Sequence, residues 1–214
     1  MNISREQLIL YAVTDRAWLD GATLYEQVEA ALKGGVTLVQ LREKDMPEPE
    51  FEREALEIMQ LCHDYNVPFI VNDRVMTALK IKADGVHIGQ SDMSAAQARR
   101  ILGKDCIIGV TAKTVEQAIK AQADGADYLG SGAVFGTGTK KDARPMSREM
   151  LNAICESVSI PVVAIGGINN DNIAELAGCN IAGAAVVSGI FDNSDIEAAT
   201  RRLRAGVVNI ISGR

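Results

Sequence analysis

Short apolar runs alternate with longer amphipathic stretches along the whole chain. The runs are Leu8–Val13, Val36–Leu41, Val67–Val71, Gly85–Ile88, Cys106–Val110, Ala126–Leu129, Pro161–Ile165 and Ala182–Val187. Most are continuously apolar and rich in Val and Ile, the pattern of parallel strands covered on both faces. Between them, Leu24, Val28, Ala31 and Leu32 share one helical face, and Phe51, Ala55, Ile58 and Met59 repeat that spacing. Val115, Ala118 and Ile119 mark another helix. Shorter ones are predicted over Val75–Ile81, Ser94–Leu102, Ser147–Val158, Asp171–Leu176 and Asp195–Leu203. Gly34-Gly35, Gly103 and Gly125 stand where helix stops are expected.

Eight strands alternating with eight helices in 214 residues predict an α/β protein, a single-domain (β/α)8 TIM barrel over residues 1–214. A doubly wound open sheet is the competing architecture. It calls for a Gly-rich turn after an early strand, but the first run leads into Thr14-Asp15-Arg16, with no glycine before Gly21. The segment GSGAVFGTGTK comes nearest, yet Phe135 stands where the dinucleotide fingerprint needs its third Gly. Thr139 precedes Lys140, so the phosphate-loop pattern fails as well.

Composition narrows the function classes. Hydrophobic residues make up 47% and charged residues 23%, which excludes a disordered or collagen-like chain. A net charge of −6 argues against a nucleic-acid partner. The longest apolar stretch, near Ile181–Val187, falls well short of the roughly 20 residues of a membrane span. The apolar run near the N-terminus is too short for a signal-peptide core, so a cytoplasmic protein is expected. Cys62, Cys106, Cys155 and Cys179 are scattered in apolar stretches and read as buried thiols rather than metal ligands or disulfides.

In a parallel barrel the chemistry gathers where strands end at their carboxyl termini. The residues there include Arg16, Arg42, Lys44, Arg74, Lys113, Lys140, Lys141 and Arg144, eight cations on one face of an acidic protein. Such a face draws anions, and phosphates above all. Gln40, Arg42 and Lys44 alternate, so an extended chain turns all three to one side. At the barrel mouth they would offer an amide, a guanidinium fork and an ammonium to one ligand. In a solvated loop, Arg42 would instead pair with Glu43 or Asp45. Asp73 and Asp92, after the third and fourth strands, are either ion-pair partners of these cations or Mg2+ ligands; Mg2+ takes one or two carboxylates, with water and substrate phosphate completing its shell. His87 lies inside an apolar run and is expected to be packed and hydrogen-bonded; His63 is expected on a helix surface. Thr137, Gly138, Thr139 and Lys140 form a candidate phosphate-binding loop. Gly166-Gly167 and Ser188-Gly189 suggest a second anion site. Two such sites imply two phosphorylated substrates, or one with phosphates at both ends.

The ordered segments YAVTD, VQLREK, VNDR, DGVHIGQSD, GVTAKT, DYLGSGAVFGTGTKKD, AIGGIN and VVSGIF, from about Leu10 to Phe191, resemble the signature of the thiamine-phosphate synthase family. The resemblance implies a (β/α)8 barrel that joins 4-amino-2-methyl-5-(diphosphooxymethyl)pyrimidine to a thiazole phosphate, releases pyrophosphate and needs Mg2+. By motif, it implies that Gln40, Arg42, Lys44 and Asn72 bind the pyrimidine diphosphate, with Thr111 and Lys140 also in contact, and that Asp73 and Asp92 hold Mg2+. Thr137 and Thr139 would approach the thiazole, and Gly167, Val187 and Ser188 its phosphate. Arg42, Lys44 and Lys140 would stabilise the leaving group, and no acid–base residue is implied. The sequence departs from the family pattern at Thr111, where Ser is common, at Lys113, where His is common, and at Gly136, where Pro is frequent. Two alternatives are a related thiazole phosphate tautomerase, which would not need Asp73, Asp92, Arg42 and Lys44, and a non-catalytic phosphate-binding barrel.

Overall fold

A computed structural model describes residues 2–136 and 145–213. Among them, β1 (Leu10–Val13), β2 (Leu38–Leu41), β3 (Phe69–Asn72), β4 (Gly85–Ile88), β5 (Ile107–Thr111), β6 (Tyr128–Gly132), β7 (Val162–Ile165) and β8 (Gly183–Val186) close into a parallel barrel in chain order. Tyr11 stands beside Leu38, Asn72 beside His87 and Thr111 beside Gly130, while Ala12 beside Val186 closes the ring. The helices are α1 (Leu24–Gly34), α2 (Glu48–Asp64), α3 (Val75–Ile81), α4 (Ala95–Leu102), α5 (Val115–Ala123), α6 (Arg148–Ser157), α7 (Ser188–Phe191) and α8 (Ile196–Ser212). Thr23 and Ser94 open α1 and α4 with reciprocal caps from Glu26 and Gln97, which satisfies backbone donors left over at the first turn. No helix among the described residues is long and apolar enough to cross a membrane.

Strand alternation sorts the core into two shells. Leu10 and Ala12 belong to the apolar layer between sheet and helices, whereas Tyr11 and Val13 belong to the barrel interior. Ile3 and Leu8 complete that interior from the amino ends of the strands, so this pole is plugged. An ion pair between the buried Asp127 and the partly exposed Arg99 secures the plug. The Asp127 carboxylate accepts from Arg99 at 2.6 Å, from the Ile108 amide at 2.9 Å and from the Asn2 amide at 3.0 Å. Cys62, Cys155 and Cys179 are buried and Cys106 partly so; burial pushes the Cys62 thiol up to about 12.

Three elements depart from the sequence reading, one of them the short α7, which no periodicity predicted. The helix predicted over Asp171–Leu176 is only a 3-10 turn, Ile173–Leu176. Asn169 accepts from the Asp171 and Asn172 amides, and Asn172 donates back to the Gly167 carbonyl at 2.8 Å. These side-chain bonds satisfy the backbone in a turn and compete with a helical start. Conversely, α8 continues from Leu203 to Ser212 because Val207 and Ile210 extend its buried face. Gly206 is accommodated there because a Cβ would come within 2.9 Å of Ile173 Cγ2 on the 3-10 turn.

Candidate active site

At the carboxyl ends of the strands lies a cavity of about 480 Å3. Gln40, Arg42 and Lys44 line it from β2 and its loop, Asn72 and Asp73 from β3, Asp92 from the loop after β4, and Thr111 and Lys113 from β5. Gly167, Val187 and Ser188 line it from β7 and β8. Every described residue that the family resemblance assigns to the site therefore lines one cavity. Thr137, Gly138, Thr139 and Lys140 lie outside the described residues, as do Lys141 and Arg144. A concavity of similar volume at the plugged pole is lined by Gln7, Lys82, Asp84 and Asp105 among others, and gathers none of the candidate residues.

The acids occupy a strained corner. Asp73 adopts φ 61°, the left-handed region that costs a non-glycine residue of order 1 kcal/mol. Its amide donates to the His87 carbonyl at 2.9 Å, and its carboxylate accepts from Asn72 Nδ2 at 2.7 Å. Asp92 is set by the turn before it, accepting from the Gly89 amide at 2.7 Å. The two carboxyl groups line the same side of the cavity and influence each other electrostatically. Burial, and then the bond to and repulsion from Asp92, push Asp73 up to about 6, against Asn72 and the Lys44 charge. Two facing oxygen donors short of countercharge suit a hard divalent cation such as Mg2+.

The eight cations expected at this face do not act alike. Arg42 lines the cavity with Asp15 at 3.8 Å, rather than pairing with Glu43 or Asp45, and its amide is held by Thr14 Oγ1 at 3.0 Å. Lys44 and Lys113 also line the cavity. Arg16 is instead diverted to Glu43 at 3.0 Å and to Glu54, and Arg74 to Glu48 at 2.6 Å; neither lines the cavity. Glu43 is half-buried, and its Oε1, shut off from solvent, has no hydrogen-bond partner among the described residues. Burial raises its carboxyl to about 7, and the nearby Glu54 and Asp15 charges add to this, while Arg16 opposes it. Because that value lies above the ordinary 4.5, the folded protein binds the proton more tightly than the unfolded chain. This contribution to stability is full below pH 4.5 and is lost as pH rises through 7. We expect Glu43→Gln to gain about 3–6 °C in Tm over the parent between pH 5 and pH 8. An offset that is the same at both pH values would contradict the assignment.

A buried polar chain crosses the barrel beneath the cavity. Gln40 Nε2 donates to the Tyr11 hydroxyl, which bonds the Tyr128 hydroxyl at 2.8 Å. Tyr128 meets His87 Nδ1 at 3.1 Å, and His87 Nε2 meets Thr111 Oγ1 at 3.0 Å. His87 is thus packed and hydrogen-bonded, as expected. Both tyrosines fall within the segments YAVTD and DYLGSG, but neither was singled out as a candidate site residue. The one signal for Tyr128 is Gly109, where a Cβ would come within 2.1 Å of the tyrosine ring carbon Cζ. Gly167, at φ 68°, admits a close approach too, but of the chain itself: a Cβ would sit 2.4 Å from the Gly136 carbonyl oxygen.

A closed parallel barrel with one polar cleft at the carboxyl ends of its strands defines a (β/α)8 barrel enzyme. The family model described as thiamine monophosphate synthase matches residues 10–190. A thiamine-phosphate synthase from Clostridium botulinum (strain Eklund 17B / Type B) is 50% identical over 91% of this chain and 92% of its own length. One from Ruminiclostridium cellulolyticum is 49% identical over 96% and 98%. The solved thiamine phosphate pyrophosphorylase of Pyrococcus furiosus superposes with a TM-score of 0.89 at 42% identity, covering 97% of this chain and 98% of that one. The chain belongs to the thiamine-phosphate synthase family, transferases of the condensation step in thiamine biosynthesis.

Proposed function

We propose that the cleft condenses 4-amino-2-methyl-5-(diphosphooxymethyl)pyrimidine with hydroxyethylthiazole phosphate or its carboxylate, giving thiamine phosphate and pyrophosphate. The observation that supports this reading is one cavity lined on opposite sides by two different sets of polar groups. Arg42, Lys44, Asp73 and Asp92 lie in the segments that follow β2, β3 and β4, and Gly167, Val187 and Ser188 lie across the mouth, just after β7 and β8. A diphosphate suits the first side and a single phosphate the second. Gln40 has its amide nitrogen committed to Tyr11, which leaves its carbonyl oxygen to receive the amino group of a pyrimidine. The same acids and cations favour the synthase over a tautomerase, which has no diphosphate to hold. We place the enzyme in the cytoplasm, in keeping with cysteines used as buried apolar residues.

Asp73 and Asp92 would hold Mg2+, whose charge offsets that of the departing pyrophosphate. The carbon–oxygen bond at the pyrimidine methylene breaks, and its electron pair leaves with pyrophosphate. Arg42 and Lys44 stabilise that developing negative charge, and by resemblance Lys140 adds to it. The methylene cation is shared with the ring through the amino group. The thiazole nitrogen then donates its lone pair to form the new carbon–nitrogen bond. No proton transfer is needed, in keeping with the engagement of His87 by Tyr128 and Thr111. Incubation with both substrates should yield thiamine phosphate and pyrophosphate in equal amounts, only when Mg2+ is present. No product from this pair, or undiminished product after chelation, would refute the reading.

A further inference from the structure

We infer that Arg74 is a positioning residue for the transfer, holding the loop that carries Lys44 against the turn that carries Asp73. This inference rests on the reading of the cleft as a diphosphate site. Arg74 directly follows Asp73 and starts α3, its amide bonded to the Asn72 carbonyl at 2.7 Å. Its side chain turns away from the cavity and reaches the β2–α2 loop. There it donates to the Glu43 carbonyl at 3.1 Å and to the Met46 carbonyl at 2.6 Å, on either side of Lys44. The other arm of the fork donates to Glu48 at 2.6 Å, and the guanidinium lies 4.3 Å above the Phe51 ring. Thr77, one turn further along α3, donates to the same Glu48.

One planar group thus ties together two segments that meet only through tertiary structure. Lys44 acts on Asp73 through its charge, so a shift of the 43–46 backbone changes the field at both the acid pair and the ligand. Only a guanidinium supplies several donors in a fixed fork together with a flat face for the ring. A lysine at this position would keep the charge and lose the fork. Arg16 supports the loop separately, through the Glu43 side chain, so the loop stays folded when the fork is lost.

The test is Arg74→Lys in the full-length enzyme. We expect KM for the pyrimidine diphosphate to rise and kcat to fall, each about tenfold, with KM for the thiazole phosphate within twofold of the parent. Binding of inorganic pyrophosphate should weaken about tenfold, and hydrogen exchange of the 43–46 amides should quicken while the barrel strands keep their protection. Should Arg74→Lys fail to fold, Glu48→Gln removes one anchor of the fork and should move the same KM in the same direction by about threefold. Equal changes in both KM values, or parental pyrophosphate affinity with unchanged exchange at 43–46, would overturn the role of Arg74. A parent enzyme that binds no pyrophosphate would overturn instead the diphosphate reading beneath it.

Discussion

Asp92→Ala lowers kcat by about 100- to 1000-fold while leaving the protein folded. The expectation follows from the apposition of two carboxyl groups at the cleft. Asp92 is held by the Gly89 amide at 2.7 Å and lines the cavity beside Asp73, on the side of the mouth that also presents Arg42 and Lys44. Removing it takes away one of two oxygen donors for the proposed Mg2+, and with it charge compensation for the departing pyrophosphate. It also relieves the repulsion that pushes Asp73 up, so stability should be unchanged or slightly higher. The loss of turnover is therefore separable from unfolding. Steady-state kinetics across a Mg2+ titration, alongside a thermal melt, decide the matter. Near-parental kcat at saturating Mg2+ would remove Asp92 from the mechanism, and a large drop in Tm would recast it as structural.

Asp127→Ala has the opposite signature, a loss of stability with little change in chemistry. Asp127 is 5% exposed and binds the Arg99 guanidinium and two backbone amides, those of Ile108 and Asn2. The substitution leaves Arg99 without its carboxylate and two amides without an acceptor. Breaking a buried pair from one side costs about 3–5 kcal/mol. For a chain of this size that corresponds to a fall in Tm of roughly 6–20 °C. Because the pair lies at the amino ends of the strands, kcat measured well below the melt should stay within about twofold of the parent. Urea denaturation showing a loss below about 1 kcal/mol would mean that Asn2 and Arg99 find other partners.

These two sites differ in how far they could be read in advance. Asp92 and its companions sit just beyond apolar runs, so strand periodicity alone places them at the mouth once a barrel is inferred. Asp127 lies just before β6, at the head of the DYLGSG segment, but that segment gives no sign of its structural role. Its partners Arg99, Ile108 and Asn2 come from distant parts of the chain, and no local pattern announces them. The tyrosines of the interior chain were hidden for the same reason, since Tyr11 reads simply as one more residue of an apolar strand.

The order of the strands, the barrel and most of the described residues at its mouth were determined by the sequence itself. Each depends on short-range periodicity, on which side of a strand or helix a residue falls, and that repeats every few residues. Tertiary structure alone decided which charges line the cleft. Arg16 and Arg74 looked equivalent to Arg42 and Lys44 as cations after strands, yet Glu43, Glu54 and Glu48 draw the first pair aside. Such pairing depends on which acid a neighbouring loop brings within a few ångströms, and Coulomb attraction at that range outweighs position along the chain.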